Sequence, residues 1–350
     1  MLKKIAIIIS PNWHDYAEKY LNDCLMSLRK QDYQGEKKIF ITDNESSENS
    51  FNFLKQVAPE AEIIRNEKND GFAKGNNDAI KLALEQKFDY IVLFNMDTVI
   101  ELNCISKMIE VAENGNKIGA VQARLMLWPE KEKINSIGNV THFLGFGYSE
   151  GYNKKYKLID KCKEICYPSG AGVLFTADIF KKVGLFDEEF WMYNEDQDLG
   201  WRIWLAGFKC VLASEAVAFH KYEFSRSIKK YYWMDRNRII VILKNYHLVS
   251  LILIFPAFVV MEIGLIFFAI KSGWIKEKIL VYKYFFNFKN WRYILNSRKQ
   301  SQNLRKVKDK NIIKLFSGKI WYQEIEDSTL KIANVIFSFY WKIVKRIIVW

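Results

Sequence analysis

The sequence has 350 residues, of which 50% are hydrophobic and 26% charged, a composition that excludes an intrinsically disordered chain. Its net charge of +12 is uneven: residues 1–220 hold 27 basic and 32 acidic side chains, and residues 221–350 hold 25 basic and 8 acidic ones. The basic part is also rich in aromatic and aliphatic residues, which favours an anionic membrane surface over nucleic acid as its partner.

Strand and helix patterns alternate through the first 125 residues. Apolar runs predict buried strands, and helical spacing of apolar residues between them predicts helices. The predicted strands are 5–9, 38–42, 62–65, 90–94 and 119–125. This alternation predicts an α/β fold with a doubly wound, mostly parallel sheet, in which ligands bind beyond the carboxyl ends of the strands. The first strand begins almost at the N-terminus, and its apolar stretch is too short for a secretory signal, so we expect the catalytic part in the cytoplasm.

The middle of the chain is less regular. Residues 128–163 predict an irregular loop region. A strand at 173–175 and a helix ending at Gly184 follow, and then an acidic cluster opens a helix that ends near residue 206. A strand over 210–219 leads to His220.

The last part of the chain predicts helices near a membrane. A basic helix is expected over 226–245, and 248–270 is long and apolar enough to span a bilayer, with one charge, Glu262. Both of its flanks are basic and therefore prefer the cytoplasm. We expect a re-entrant hairpin bent near Pro256 or a helix lying in the interface; a buried core helix is the alternative. The stretch 330–350 also suits an interfacial helix.

Four acidic residues are candidates for chemistry. Asp97 ends a buried strand and offers an oxygen ligand for Mg²⁺ or Mn²⁺, although a strand-ending turn would use the same residue. Glu195, Asp196 and Asp198 lie among apolar residues, where a carboxylate binds its proton more readily and suits general-base work. Acidic residues also stabilise the first turn of a helix, and both roles can hold.

Several basic residues are candidates for binding anions. His220 could be a metal or phosphate ligand, or a structural histidine. Lys74, beside a helix start, could approach a phosphate or be solvated. A further basic group could contact a diphosphate or lipid headgroup, or form a solvated helix face: Arg226, Lys229, Lys230, Arg236 and Arg238.

Six motifs together resemble the family 2 glycosyltransferases, particularly their rhamnosyltransferase-like branch. The resemblance runs from about residue 4 to about residue 240. The motifs are Pro11-Asn-Trp13, Thr42-Asp-Asn-Glu-Ser-Ser47, Asn69-Asp-Gly-Phe-Ala-Lys-Gly-Asn-Asn77, Phe94-Asn-Met-Asp97, Ser169-Gly-Ala171 and Tyr193-Asn-Glu-Asp-Gln-Asp-Leu199.

The resemblance implies a GT-A fold over residues 1–240, with a nucleotide-binding half (1–100) and an acceptor-binding half (101–240), followed by a helical, membrane-associating region (241–350). Asp196 would be the catalytic base, and Asp97 with His220 would hold a divalent metal, Mg²⁺ or Mn²⁺. The donor-binding residues would be Pro11, Asn12, Asp43, Asn44, Gly71, Lys74, Asn76 and Asn95. The acceptor-binding residues would be Ser169, Gly170, Ala171, Trp191, Glu195 and Asp198.

The implied reaction is an inverting transfer of a sugar from a nucleotide-diphosphate sugar to a saccharide or lipid-linked saccharide, in cell-surface polysaccharide synthesis at the inner face of the membrane. Asn95 replaces the first Asp of the strict metal motif, which weakens the expectation of a metal. The Gln-x-x-Arg-Trp motif of processive synthases is missing from the sequence, so we expect one sugar per encounter. The alternatives are a nucleotide-sugar-binding protein without transferase activity, a nucleotidyltransferase, for which a Gly-rich loop after the first strand is lacking, and a nucleic-acid binder.

Overall fold

A ten-stranded sheet forms the centre of the protein in the computed structural model, which describes residues 2–221, 228–321 and 328–350. The sheet strands are β1 (Ile5–Asn12), β2 (Lys37–Asn44), β3 (Glu62–Asn66), β4 (Tyr90–Phe94), β5 (Thr98–Ile100), β6 (Ile118–Leu127), β7 (Ile134–Ser136), β10 (Cys162–Glu164), β11 (Gly172–Thr176) and β12 (Lys209–His220). Two further strands, β8 (Asn139–Thr141) and β9 (Gly147–Ser149), form a separate pair.

Six of the strands run in the same direction. The order across the sheet is β10-β12-β6-β11-β4-β1-β2-β3. The strands β3, β2, β1 and β4 are parallel neighbours, as are β6 and β12, and β11 lies antiparallel between β4 and β6. The predicted α/β, mostly parallel sheet is therefore confirmed, and the carboxyl ends of these six strands share one edge.

Helices cover both faces of the sheet because side chains alternate along its strands. Ile5, Ile7 and Ile9 pack against one set of helices, and Ala6 and Ile8 against the other. The first set is α1 (Tyr16–Arg29), α2 (Glu48–Val57) and α4 (Cys104–Asn114). The second set is α3 (Gly71–Glu85), α5 (Ala177–Val183) and α6 (Glu195–Leu205).

The prediction of an irregular region over residues 128–163 is wrong in part. This stretch contains β7 to β10, each three residues long. A three-residue strand is too short to leave a repeating hydrophobic pattern, which is why the sequence did not reveal these strands. β7 pairs with β6, and thereby brings this stretch beside the sheet edge where polar residues gather.

The C-terminal part is helical, as expected. Its helices are α7 (Lys229–Asn245), α8 (Leu248–Lys271), α9 (Ile275–Phe286), α10 (Phe288–Asn303), α11 (Asp309–Ile312) and α12 (Ser328–Ile347). The predicted domain boundary at residue 240 falls inside α7, and the division into domains stays a prediction.

Two of the alternatives for residues 248–270 are wrong. α8 continues through Pro256 as one helix, so no hairpin forms there. Within the described ranges it is the one helix long and apolar enough to cross a membrane, and only 17% of its most apolar window is buried, which excludes a buried core helix. The single acidic residue of α8, Glu262, faces inward and pairs with Arg238 and Lys278.

Candidate active site

Asp43 lies at the carboxyl end of β2 with its side chain buried. Asn12, at the end of β1, donates from Nδ2 to Asp43 Oδ1 over 2.9 Å. The other oxygen, Oδ2, accepts no hydrogen bond from any described residue and is 3.6 Å from Arg65 Nε. A buried carboxylate oxygen without a donor is costly unless a ligand supplies one.

The side chains of Asn12 and Asn44 form hydrogen bonds within the protein, and their assignment as donor-binding residues stays a prediction. Asn12 Nδ2 also contacts Ser50 Oγ at 3.2 Å, and its Oδ1 accepts from the backbone N–H of Ala17 at 3.0 Å. Asn44 donates to the carbonyl of Gly71 at 3.0 Å and accepts from Asn66 at 3.0 Å. Both side chains are buried. Asn12 orients Asp43, and Asn44 ties β2 to α3.

The start of α3 packs closely on the loop that contains Trp191. Gly71 has φ +83°, and a Cβ there would lie 2.4 Å from the Trp191 carbonyl oxygen, so only glycine fits. Ala73 N–H donates to the same oxygen at 3.2 Å. Pro11 packs on the other side of this helix, where a Cβ on Gly75 would come within 2.4 Å of its ring. These contacts join the donor-side and acceptor-side motifs.

Two further residues of α3 were predicted to bind donor. Lys74 Nζ donates to both oxygens of Asp78, at 2.6 and 2.7 Å, and its side chain is partly exposed, so its role in donor binding stays a prediction. Asn76 is buried, and its Nδ2 donates to the Phe72 carbonyl at 2.9 Å. Among the described residues its Oδ1 finds no partner.

Asp97 and His220 meet because β5 pairs with the end of β12. His220 Nε2 lies 3.0 Å from Asp97 Oδ1, and Tyr16 donates its hydroxyl to Asp97 Oδ2 at 2.7 Å. Burial acts to raise the pKa of Asp97, but His220 and Tyr16 outweigh it, so the pKa is lowered. Asp97 is therefore an anion at neutral pH.

The Asp97–His220 pair fits a divalent cation. In the orientation that the structure gives Asn135, its Oδ1 lies 3.1 Å from His220 Nδ1, so both ring nitrogens face acceptor oxygens. A carboxylate oxygen and an imidazole nitrogen 3.0 Å apart are ligand types that a divalent metal such as Mn²⁺ accepts. The described ranges hold no cluster of three or more His, Cys, Asp or Glu side chains, so substrate phosphates or water would complete the coordination.

Asp196 lies in the first turn of α6. The backbone N–H groups of Gln197, at 2.7 Å, and Gly170 donate to its carboxylate. Burial outweighs these hydrogen bonds and raises the pKa of Asp196 to about 7. Burial, and then the charge of Asp196, raise the pKa of Glu195 well above its ordinary value. Glu195 therefore keeps its proton under conditions where Asp196 ionises.

Asp198 is an internal ion-paired carboxylate, which corrects its prediction as an acceptor-binding residue. Its side chain is fully buried and accepts from Arg202 Nε at 2.8 Å and Asn245 Nδ2 at 2.9 Å, with Lys244 Nζ at 3.0 Å. Burial acts to raise its pKa, but Lys244 and Arg202 lower it to about 2. No surface remains through which this group could contact a sugar.

The basic group on α7 is also mostly internal. Arg238 is buried between Asp235 and Glu262, and Arg236 is buried against Glu189, so neither presents its charge to a lipid. Arg226 lies outside the described residues. Lys229, which is exposed, could still contact a headgroup.

The donor-side and acceptor-side carboxylates lie at one edge of the sheet. Residues 169–171 lead into β11, which pairs with β4, and the Asn95 N–H donates to the Ala171 carbonyl at 3.2 Å. Gly170 contacts Asp196, while Asp97 follows Asn95 by two residues. Asp97 and Asp196 are thus connected through the backbones of two neighbouring strands. The Asn95 Oδ1 is buried and unpartnered within the described part of the chain.

Three residues of the site lie outside the six motifs found in the sequence. Tyr16 binds Asp97, Asn135 binds His220, and Gln122 accepts from the Ser169 N–H at 2.8 Å. Gln122 could have been found as a polar residue inside a predicted buried strand. Tyr16 and Asn135 reach the site only through tertiary packing.

A mostly parallel α/β sheet with acidic residues gathered at the strand ends defines a GT-A type of transferase. The sequence model of the family described as "Glycosyl transferase family 2" matches residues 7–184, about half of the chain. The chain belongs to glycosyltransferase family 2, and the protein is a glycosyltransferase.

Two relatives show the range of sequence similarity. An N-acetylglucosaminyl-diphospho-decaprenol L-rhamnosyltransferase of Mycobacterium tuberculosis (strain CDC 1551 / Oshkosh) is 23% identical over 239 residues, which cover 63% of this chain and 76% of the relative. A poly-beta-1,6-N-acetyl-D-glucosamine synthase of Staphylococcus epidermidis is 25% identical over 191 residues, 54% of this chain and 43% of the synthase.

Solved structures share the fold. S. aureus TarS 1-349 in complex with UDP has a TM-score of 0.51 at 16% identity, covering 98% of this chain and 90% of that one. GalNAc-T7 with UDP, GalNAc and Mn²⁺ has a TM-score of 0.54 at 14% identity, covering 69% of this chain and 48% of that one. This chain therefore spans less than half of GalNAc-T7 and of the synthase. The match with TarS 1-349 instead covers nearly the whole length of both chains.

Proposed function

We propose that this glycosyltransferase transfers one sugar per encounter from a nucleotide-diphosphate sugar to an acceptor hydroxyl, with inversion at the anomeric carbon. The observation that carries the proposal is the connection of Asp97 and Asp196 across one sheet edge through Asn95, Ala171 and Gly170.

Asp196 is the proposed base. It takes the proton from the acceptor hydroxyl while that oxygen forms a bond to the anomeric carbon. The bond from the anomeric carbon to the diphosphate oxygen breaks, and the nucleoside diphosphate leaves with the electron pair. A pKa of about 7 suits this role, because the carboxylate is available near neutral pH and still basic enough to accept a proton.

The donor is proposed to be held by residues whose buried polar atoms lack partners elsewhere in the described structure. Asp43 Oδ2 would accept from a nucleobase or ribose donor group, and Asn95 Oδ1, two residues before Asp97 in the sequence, also has no hydrogen-bond partner within the described residues. Asp97 and His220 would hold the divalent metal. When bound, that metal would neutralise charge on the leaving diphosphate.

Single transfers are supported by the sequence, which lacks the Gln-x-x-Arg-Trp motif of processive synthases. The acceptor is proposed to be a saccharide or lipid-linked saccharide used in cell-surface polysaccharide synthesis. The names of the two relatives, a rhamnosyltransferase and a polysaccharide synthase, suggest this class of acceptor.

We further propose that α8 and α12 lie in the interface of the cytoplasmic leaflet and hold the enzyme at the membrane. Tyr340 donates to the Leu253 carbonyl and Trp350 donates to Ser250 Oγ, so the two helices pack side by side. Their outward apolar residues are at least 40% exposed, and several are above 60%. They are Leu248, Val249, Ile252, Phe255, Val259, Val260, Ile263, Phe267, Ile270, Ile332, Val335, Ile336, Phe339, Ile343 and Ile347.

Charge favours a lipid surface over a second copy of this chain. Lys331, Lys342 and Arg346 are exposed on α12, which carries no acidic residue, and the only acidic residue of α8 is turned inward. Two such faces would repel each other, whereas anionic headgroups would attract them.

Flotation with liposomes tests the membrane proposal. Wild-type protein should float with vesicles containing phosphatidylglycerol and should be partly released by high salt. The double variant Phe255→Glu/Phe339→Glu should stay at the bottom, while Leu158→Glu, at an exposed apolar residue outside α8 and α12, should float as wild type. Equal flotation of the double variant, or a stable dimer in place of vesicle binding, would contradict it.

Nucleotide sugars screened for thermal stabilisation with Mn²⁺ would identify the donor. Transfer from that donor should then give a product of inverted anomeric configuration by NMR. A retained configuration, or no stabilisation by any nucleotide sugar, would refute the proposed reaction.

A further inference from the structure

We propose that Asn237, on α7, positions Asp196 for catalysis by holding the backbone that leads into it. This rests on the proposed role of Asp196 as the base. Asn237 is fully buried, and its Nδ2 donates to the carbonyl oxygens of Phe190 at 2.9 Å, Met192 at 3.0 Å and Tyr193 at 2.7 Å. Two N–H bonds therefore serve three acceptors within four residues of chain.

The segment that Asn237 holds has an unfavourable backbone shape. Trp191, Tyr193 and Asn194 have φ of +58°, +70° and +66°, although none is glycine. Left-handed backbone in non-glycine residues is unfavourable and persists only where the surroundings impose it. The carbonyl contacts of Asn237 lie within this segment, so they supply that constraint directly.

Other residues of α7 bind the two ends of the same segment. Arg236 donates to the Glu189 carbonyl and to Asn237 Oδ1, the latter at 2.9 Å. Lys244 pairs with both Asp187 and Asp198. The segment from residue 187 to residue 198, with Asp196 near its end, is therefore bound along one helix.

α7 is itself fixed by a buried ion cluster. Arg238, the residue after Asn237, pairs with Asp235 on the same helix and Glu262 on α8, and Lys278 on α9 pairs with the same two carboxylates. The cluster sets the position of α7, so Asn237 presents its amide from a rigid support.

Asn237 acts on Asp196 in two ways, through the position of its carboxylate and through the burial that raises its pKa. Asp196 follows the strained segment by two residues, and its carboxylate is reached by the N–H groups of Gln197 and Gly170. If the segment relaxed to an ordinary backbone shape, Asp196 would turn away from Gly170 towards water. Its distance from the acceptor hydroxyl would increase, and the burial that raises its pKa would be reduced.

The test is the kinetics of Asn237→Ala with the donor found in the screen, measured on the full chain. We expect kcat to fall about 10- to 100-fold, the donor KM to stay within about twofold, and the acid limb of the pH–rate profile to move to lower pH. Asn237→Ser keeps a hydroxyl donor and should recover part of kcat. Asn296→Ala, on the exposed face of α10, should behave as wild type.

Unchanged kcat and pH profile in Asn237→Ala would overturn the proposal. So would a parallel loss of kcat and donor affinity with an unmoved pH limb, which would indicate general damage. If Asn237→Ala does not fold, Asn237→Ser carries the same comparison. Full activity of Asp196→Asn would instead refute the proposed base, whatever Asn237→Ala does, so the two failures are distinguishable.

Discussion

Buried side-chain oxygens differ in their hydrogen bonding between the cleft at the strand ends and the buried ion cluster of α7, α8 and α9. In the cleft, Asp43 Oδ2, Asn95 Oδ1 and Glu195 Oε2 accept no hydrogen bond from the described residues. In the cluster of α7, α8 and α9, every carboxylate oxygen of Asp235 and Glu262 accepts from a partner.

This contrast distinguishes buried charged groups that stabilise the fold from buried polar groups that are available to a ligand. A buried polar group without a partner costs about 1–3 kcal/mol, and persists where a ligand later satisfies it. A fully paired cluster contributes positioning but has no capacity left for a ligand. Asp196 and Asp198 show the same contrast two residues apart, with pKa values of about 7 and about 2.

The largest effect on stability should come from the paired cluster. Lys278→Met leaves Asp235 and Glu262 short of a partner, and breaking a buried pair costs about 3–5 kcal/mol. Urea unfolding would measure this loss against Lys276→Met, an exposed lysine on the same helix. Equal stability of the two variants would show that the cluster does not hold the helices.

Asp97→Ala should weaken binding of the donor with Mn²⁺ by about 100-fold, because a charged metal ligand is lost. Calorimetry with and without chelator would measure it, and Asp178→Ala, at an exposed carboxylate, is the control. Equal donor affinity of the wild type in chelator and in Mn²⁺ would count against the metal.

Asp43→Asn should lower donor affinity about tenfold, the value of one hydrogen bond to a charged group. Stability should change little, because Oδ2 accepts no hydrogen bond from a described residue, its ion pair with Arg65 is long at 3.6 Å, and Asn can keep the contact from Asn12. A variant that unfolds more easily but binds donor normally would make Asp43 structural.

The smallest expected effect is the response to pH near neutrality, about twofold between pH 7 and the plateau. Asp196 is protonated below its pKa of about 7 and ionised above it, so kcat/KM should rise with pH and reach about half its plateau near pH 7. A rate profile that is flat from pH 5 to 8 would exclude a base with this pKa.

Long apolar runs and helical spacing were enough to predict the sheet, because β1, β4 and α1 satisfy local and tertiary preferences together. The pairing of Lys74 with Asp78 lies within one helix, four residues apart, a spacing that the sequence shows. The contacts of Asn12, Asn44 and Asp198 could not be read from sequence, because each involves a partner distant in the chain. Asn237 was missed for the same reason: a single amide in a basic helix gives no local signal of the three carbonyls it meets.

The most direct test of the account is the turnover of Asp196→Asn with donor and acceptor at saturation. The substitution preserves shape but removes the proton acceptor, so we predict a fall in kcat of about 10²–10⁴ with donor affinity unchanged. Turnover close to that of the wild type would contradict the assignment of Asp196 as the base.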